Sequence, residues 1–394
     1  MKKILSLILA LAMLLSLAAC AKKEAPATTA APQTEARTEK ETEKATEKAT
    51  EKETEAEAPT EAPTEAPTEE AGPRTFTDDV GHTVELPDEL TKIVPSGPLA
   101  QIILFAIDPD LFVGLGGHWD ENAKGLIDQK YLDLPYFGQM YGSADLNVEE
   151  LAATGAQLVI DVGEAKKSIV EDMENLTTQT RIPTIHIDAS LETMPQAYRT
   201  LGKLLNREEK GEELAAFCEK VYGRTLEIME KVGDNKVKGL YVTGEEGLNV
   251  LAKGSFHAEL LDLLMDNLAV VDEPSSKGTG NAVDMEQIAV WNPEYVIFAP
   301  GSIYATVADT PSWNEITAIV NGNYAETPVG PHNWMGMPPS VQRYLGMIWL
   351  TALLYPDYCD YDVQADVTEY YRLFYSCELT DEQYKDITAN AFFN

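Results

Sequence analysis

Asn147-Val-Glu-Glu-Leu-Ala-Ala-Thr-Gly-Ala-Gln-Leu-Val-Ile160 returns 137 residues later as Asp284-Met-Glu-Gln-Ile-Ala-Val-Trp-Asn-Pro-Glu-Tyr-Val-Ile297. Glu149/Glu286, Ala152/Ala289, Val159/Val296 and Ile160/Ile297 are identical pairs. In each copy an Asx residue suits the N-cap of a short helix, where its side-chain oxygen can take an otherwise unpaired backbone N–H. A turn follows at Gly155 or Asn292-Pro293, and an apolar run of strand length ends the unit. A repeated helix-turn-strand unit predicts two lobes of related topology.

The flanking sequence extends that pattern in both directions. Thr75 to Leu86 has the alternation of a β-hairpin turning near Asp79-Val80-Gly81. Lys92–Pro95, Leu111–Leu115, Gln157–Val162 and Pro183–Ile187 are short apolar runs, separated by helical segments such as Leu99–Ile107 and Lys166–Thr178. Strands that alternate with helices imply βαβ units and a mainly parallel sheet. From Leu191 to Val232 no strand signal occurs; apolar residues recur at helical spacing, with Gly202, Asn206 and Gly211 as candidate breaks. Unbroken, such a stretch would reach roughly 60 Å. The second lobe begins with a strand at Val237–Thr243, a helix at His257–Asn267 and a strand at Ala269–Val271. Beyond the repeat lie a strand at Tyr324–Val329 and helices at Ser340–Leu354 and Gln364–Tyr375. The expected fold is α/β: two Rossmann-like lobes with mainly parallel sheets, at 74–190 and 236–394, joined by a long helical connector at 191–235.

The first 73 residues are of another kind. Lys2 and Lys3, the apolar Ile4–Leu17 and the small residues up to Ala19 form a signal peptide over 1–19, too short for a comfortable membrane span. Leu17-Ala-Ala-Cys20 resembles a bacterial lipobox, which implies that the Cys20 thiol receives a lipid. The rest of 20–73 is Ala, Thr, Glu, Lys and Pro in repeats, too poor in apolar side chains to offset ordering entropy. It reads as a flexible tether with a reach of about 40 Å. Of the other cysteines, Cys359 and Cys377 suit either a disulfide or two buried thiols, and Cys218 stands alone.

Charge narrows the function. The chain has 30 Lys plus Arg against 65 Asp plus Glu, a formal charge of −35, which repels nucleic acid and anionic headgroups. It lacks Gly-x-Ser-x-Gly, a P-loop, His-Glu-x-x-His and the dinucleotide fingerprint, so no catalytic constellation is assigned.

An exported lipoprotein with a tether, two related α/β lobes and one helical connector resembles the substrate-binding proteins of bacterial ABC importers. The likeness is to the helix-linked class that handles iron siderophores, haem and vitamin B12. It covers roughly Thr75 to Tyr358 and rests on three marks: the Thr-Phe-Thr-Asp-Asp-Val-Gly-His82 hairpin, the Leu-Asn-Val-Glu-Glu-Leu151 unit with its strand, and Asn333-Trp-Met-Gly-Met-Pro-Pro-Ser-Val-Gln-Arg343. The resemblance implies a lipid-anchored, extracytoplasmic receptor with no catalytic role, no cofactor and no resident metal, which delivers its ligand to an ABC permease. It also implies an aromatic residue in the cleft at Trp334.

In open α/β sheets ligands bind outside the carboxyl ends of the strands. That rule points to the loops Gly116–Trp119, Tyr136–Tyr141, Ser275–Asn281 and Gly330–Met337. The candidate ligand contacts are His118, Trp119, Tyr136, Tyr141, Ser276, Lys277, Trp334, Met335 and Arg343. Aromatic faces and thioethers suit a large, partly planar metal chelate such as a ferric siderophore, haem or corrinoid. Two alternatives are a secreted two-domain α/β enzyme acting on a small molecule or glycan, and a free-metal receptor, which would need three or four converging His and carboxylate groups.

Overall fold

Asp78 shapes the first turn: its Oδ1 accepts the N–H groups of Val80 (3.2 Å) and His82 (2.7 Å). This turn joins β1 (Arg74–Thr77) to β2 (Thr83–Leu86), an antiparallel pair. The computed structural model describes residues 73–140 and 146–393. The expected signal peptide, Cys20, nearly all of the expected tether and Tyr141 lie outside them.

The N-terminal lobe continues through β3 (Ile93–Pro95), α1 (Pro98–Ile107), α2 (Gln129–Leu132), α3 (Val148–Ala153), β4 (Leu158–Gly163), α4 (Ile169–Thr180) and β5 (Thr184–Asp188). Its sheet is parallel, in the order β3-β4-β5. Every residue of β4 is buried, as expected of a central strand covered on both faces. The predicted strand Leu111–Leu115 does not form. Pro109 starts a 3-10 turn, and the chain then makes only isolated bridges, Phe112 to Ile93 and Leu115 to Tyr136. The backbone here is shared between two partners, Val113 N–H donating to Ile93 O (3.2 Å) and Leu115 N–H to Pro135 O (2.8 Å), and Gly114 lets Phe137 approach, since a Cβ there would sit 2.1 Å from its ring.

The connector is a pair of helices, α5 (Met194–Leu204) and α6 (Glu208–Val232), and not one 60 Å rod. Asn206 adopts φ +54° at the break, and α5 folds back on α6 so that Arg199 pairs with Glu212 (2.7 Å) and Glu219 (2.6 Å). At 1.5 Å per residue, the 25-residue α6 spans about 37 Å. The helices meet at glycines: a Cβ on Gly211 would lie 2.6 Å from the Tyr198 carbonyl and 3.0 Å from Gly202 Cα. Since both neighbours are backbone, Gly211→Val should push the helices apart and lower stability by about 2 kcal/mol in urea unfolding. Gly223, in the same helix, has open space at its Cβ position. Gly223→Ala should therefore raise stability by about 0.5–1 kcal/mol; equal effects at the two sites would show that the close crossing does not matter.

The C-terminal lobe holds β6 (Lys238–Thr243), β7 (Asn249–Val250), α7 (Glu259–Leu264), β8 (Asp266–Asn267), β9 (Asn281–Ala282), α8 (Met285–Trp291), β10 (Tyr295–Phe298), α9 (Thr317–Val320) and β11 (Tyr324–Glu326). Helices α10 (Arg343–Leu354), α11 (Val363–Tyr375) and α12 (Asp381–Ile387) close it. The sheet order is β11-β10-β6-β7-β9, with β8 also on β6. Strands β8, β10 and β11 run parallel in their ladders, while β7 and β9 add antiparallel pairs. The expected strand Ala269–Val271 is absent because Asn267 turns the chain, taking the Ala269 N–H on Oδ1 (3.0 Å) and donating Nδ2 to the Leu251 carbonyl (3.1 Å). Strand β11 stops at Glu326, just before Thr327-Pro328. Cys218, Cys359 and Cys377 are all free thiols here.

The repeat is structural. Asn147 Oδ1 caps α3 through Glu150 N (3.1 Å), and Asp284 Oδ1 caps α8 through Gln287 N (2.8 Å). The left-handed turn residues also correspond, Gly155 at φ +71° and Asn292 at φ +40°. The strands that follow, β4 and β10, each lie between two parallel neighbours.

Candidate ligand-binding site

Strands β6 and β10 end side by side in Thr243-Gly244 and Ala299-Pro300, and these residues line a cavity of about 490 Å³. Asp120 and Asn122 of the N-terminal lobe face them, so both lobes contribute. Thr279, Asn333 and Met337 complete the polar and thioether part of the wall. The volume falls within the several hundred Å³ usual for small-molecule sites. Its polar groups are held in place. Asn333 Nδ2 donates to the Tyr241 phenol (2.9 Å) while its Oδ1 accepts the Met335 N–H (2.7 Å), and Thr243 Oγ1 donates to the Thr279 carbonyl (2.8 Å). Burial pushes Tyr241 up to about 12, so it stays a neutral phenol.

The sequence-predicted contacts divide into two groups around this cavity. His118 and Tyr136 lie tilted against each other with ring centroids 3.8 Å apart, and Trp119, next to the cavity residue Asp120, stacks on His332 at 5.3 Å. Ser276 and Lys277 are exposed on the loop that carries Thr279. Trp334, Met335 and Arg343 are core residues with 0%, 2% and 0% exposure, and none of the described predicted contacts is itself part of the cavity wall. The loop turns through bridges from Asn333 to Val329 and to Met337, which aims Asn333 and Met337 at the cavity and Trp334 beneath α10. Arg343 is spent on Glu259 (2.7 Å) and lies over the Phe256 ring. Burial holds His332 down at about 4, so its imidazole is neutral at ordinary pH.

Comparison with known proteins accounts for this architecture. The sequence profile described as "Periplasmic binding protein" matches residues 140–329. The Fe(3+)-citrate-binding protein of Bacillus subtilis (strain 168) is 23% identical over 247 residues, 60% of this chain and 75% of that one. The solved ABC transporter solute binding protein of Sulfurospirillum deleyianum DSM 6946 is 25% identical, with a TM-score of 0.72 over 80% of this chain and 99% of that chain. A periplasmic solute binding protein of Veillonella parvula DSM 2008, at 24% identity, TM-score 0.66 and coverage of 81% and 98%, shares the fold. The chain belongs to the periplasmic binding protein family. It is a substrate-binding component of an ABC importer, of the two-lobed class with a helical connector, and not an enzyme.

In this periplasmic binding protein the cavity residues Asn122, Thr243, Asn249 and Thr279 were not singled out from sequence. Thr243 had a readable signal, since it ends an apolar strand where the carboxyl-end rule places ligands. Asn249 lies on the two-residue strand β7, too short to read.

A second polar cluster sits at the carboxyl edge of the N-terminal sheet. Buried His186 pairs through Nδ1 with Asp161 Oδ2 (2.6 Å), Ser96 Oγ donates to the other Asp161 oxygen, and Asp78 Oδ2 accepts the His186 backbone N–H (3.0 Å). Burial opposes the charged imidazole, but the hydrogen bond and charge of Asp161, helped by Asp188, outweigh it and raise its pKa. A raised histidine adds stability that is complete below its unfolded value near 6.5 and disappears as pH rises through the folded value. The urea midpoint should therefore fall as pH climbs above about 6.5. His186→Gln should flatten that slope, and an unchanged slope would exonerate His186.

Proposed function

We propose that this periplasmic binding protein is anchored by a lipid on Cys20, outside the described residues, and captures a metal chelate between its lobes for an ABC permease. The observation that carries the reading is the two-lobed cavity of about 490 Å³ at the carboxyl ends of β6 and β10. The iron chelate in the name of the Bacillus subtilis relative supports the ligand class. Among the described residues no three His, Cys, Asp or Glu side chains gather as a bare ion would require, which favours a ligand that brings its own donors. Asn333 and Met337 act from the cavity wall; His118, Trp119 and Tyr136 supply aromatic surface beside it from the other lobe, with Ser276 and Lys277 at the rim. The boundaries 74–190, 191–235 and 236–394 go with this reading, and Tyr141 is kept as a candidate contact. No helix among the described residues is long and apolar enough to cross a membrane.

Native mass spectrometry of protein purified from its own cells, followed by titration with ferric chelates, haem and corrinoids, tests the ligand class. Tight binding without turnover is expected, and Asn333→Leu should weaken it at least about tenfold. A panel in which every chelate fails while a sugar or a bare ion binds would overturn the proposal. Cys20→Ser should release the protein from membranes, and retention would remove the lipid anchor.

A further inference from the structure

Charge in and around the cavity constrains the ligand more sharply than volume does. Among the described residues that line the cavity, Asp120 alone carries a formal charge, and no Lys, Arg or His is present. The remaining polar groups are amides and hydroxyls, on Asn122, Asn249, Asn333, Thr243 and Thr279. An anionic ligand needs several converging cationic donors to replace its hydration, arginine above all. The nearest buried arginine, Arg343, is already neutralised by Glu259. Lys124, close to Asn122, pairs with Glu121, and Lys277 stands exposed on the rim two residues from Thr279. Against it, Glu245 and Glu246 are exposed directly after the cavity residue Gly244. The wider field has the same sign: residues 74–394 hold 21 basic against 51 acidic residues. Such a field concentrates cations and repels polyanions.

From this geometry we infer that the ligand has zero or positive net charge and presents amide- or hydroxamate-type oxygens, not carboxylates or catecholates. This rests on the cavity being a chelate site, and it departs from ferric citrate. A side-chain amide offers N–H donors and a carbonyl acceptor together, which matches amide-rich ligands without a charged partner. A polyanion placed beside Asp120 would lose its water and gain no counter-charge.

The test uses the purified full chain, with affinities from tryptophan quenching at low and physiological salt. The probes are ferrioxamine B, a cationic hydroxamate; cyanocobalamin, neutral and amide-rich; ferric enterobactin, a catecholate trianion; and ferric citrate. Ferrioxamine B or cyanocobalamin should bind at least about tenfold tighter than either anion. If ferrioxamine B is the better ligand, salt should weaken it and Asp120→Asn should cost it at least about threefold while leaving cyanocobalamin unchanged. If an anion binds as tightly or tighter, the charge inference fails and the chelate reading stands. If none of the four binds, both fail.

Discussion

Trp334→Ala should destabilise the protein by about 3–5 kcal/mol, the usual cost of emptying a fully buried aromatic site. The indole has 0% exposure, and α10 approaches so closely that a Cβ on Gly346 would sit 2.5 Å from the Trp334 carbonyl. Substituting alanine leaves a cavity under a helix whose residues are nearly all buried, with little freedom to collapse into it. Urea unfolding reads the loss. Chelate affinity, measured where the variant remains folded, should change less than about tenfold, because Asn333 and Met337 face the cavity and the indole does not. A variant of unchanged stability that no longer binds ligand would put the indole back in the cleft.

Glu259→Leu should cost about 2–3 kcal/mol, toward the low end for breaking a buried ion pair because Glu259 keeps 31% of its side chain exposed. Its partner Arg343 has none exposed; burial pulls its pKa down, against the raising effect of Glu259, so removing the carboxylate leaves a charge with neither water nor counter-ion. Glu259 has a second task. Its other oxygen accepts the Leu191 N–H (3.2 Å), and Tyr344 donates to the Leu191 carbonyl (2.6 Å), so both backbone groups of the first connector residue are held by the C-terminal lobe. In thermal unfolding the double variant Glu259→Leu/Arg343→Leu should lose less stability than Glu259→Leu alone. Losses that simply add would mean the two residues do not act as a pair.

Much of this fold could be read from local chemistry. The duplicated unit announces itself because an Asx cap, a short helix, a left-handed turn and a buried strand each leave a residue-level mark, and Asn147/Asp284 and Gly155/Asn292 keep theirs. Where the reading failed, a non-local contact decided the outcome. Leu111–Leu115 has strand composition, yet its backbone is divided between Ile93 and the Pro135–Phe137 segment, so only isolated bridges form. The connector breaks at Asn206, one of the three residues marked as possible breaks, but its folding back is a non-local matter, because Gly202 and Gly211 allow the two backbones to touch. The site was less legible than the fold. Sequence shows that a loop holds His332, Trp334 and Met335, but which side of the loop faces ligand depends on bridges at Asn333. Large aromatic residues draw attention in a sequence, whereas neutral groups such as Thr243 and Asn249 stand out only once strand ends are known.

The folded-back connector also bears on how cargo leaves. A single helix between two lobes is a thin rod, and a modest torque bends it. Here the rod is doubled, with α5 clasped to α6 by Arg199 and by the glycine contact, and a clasped pair of beams is stiffer than either alone. Opening by a wide swing would have to strain this brace and the clamp on Leu191 together. Outside that brace lie the loops beside the cavity, 118–122 and 275–281. On the proposed reading, unloading at the permease would prise the rim while the frame stays rigid.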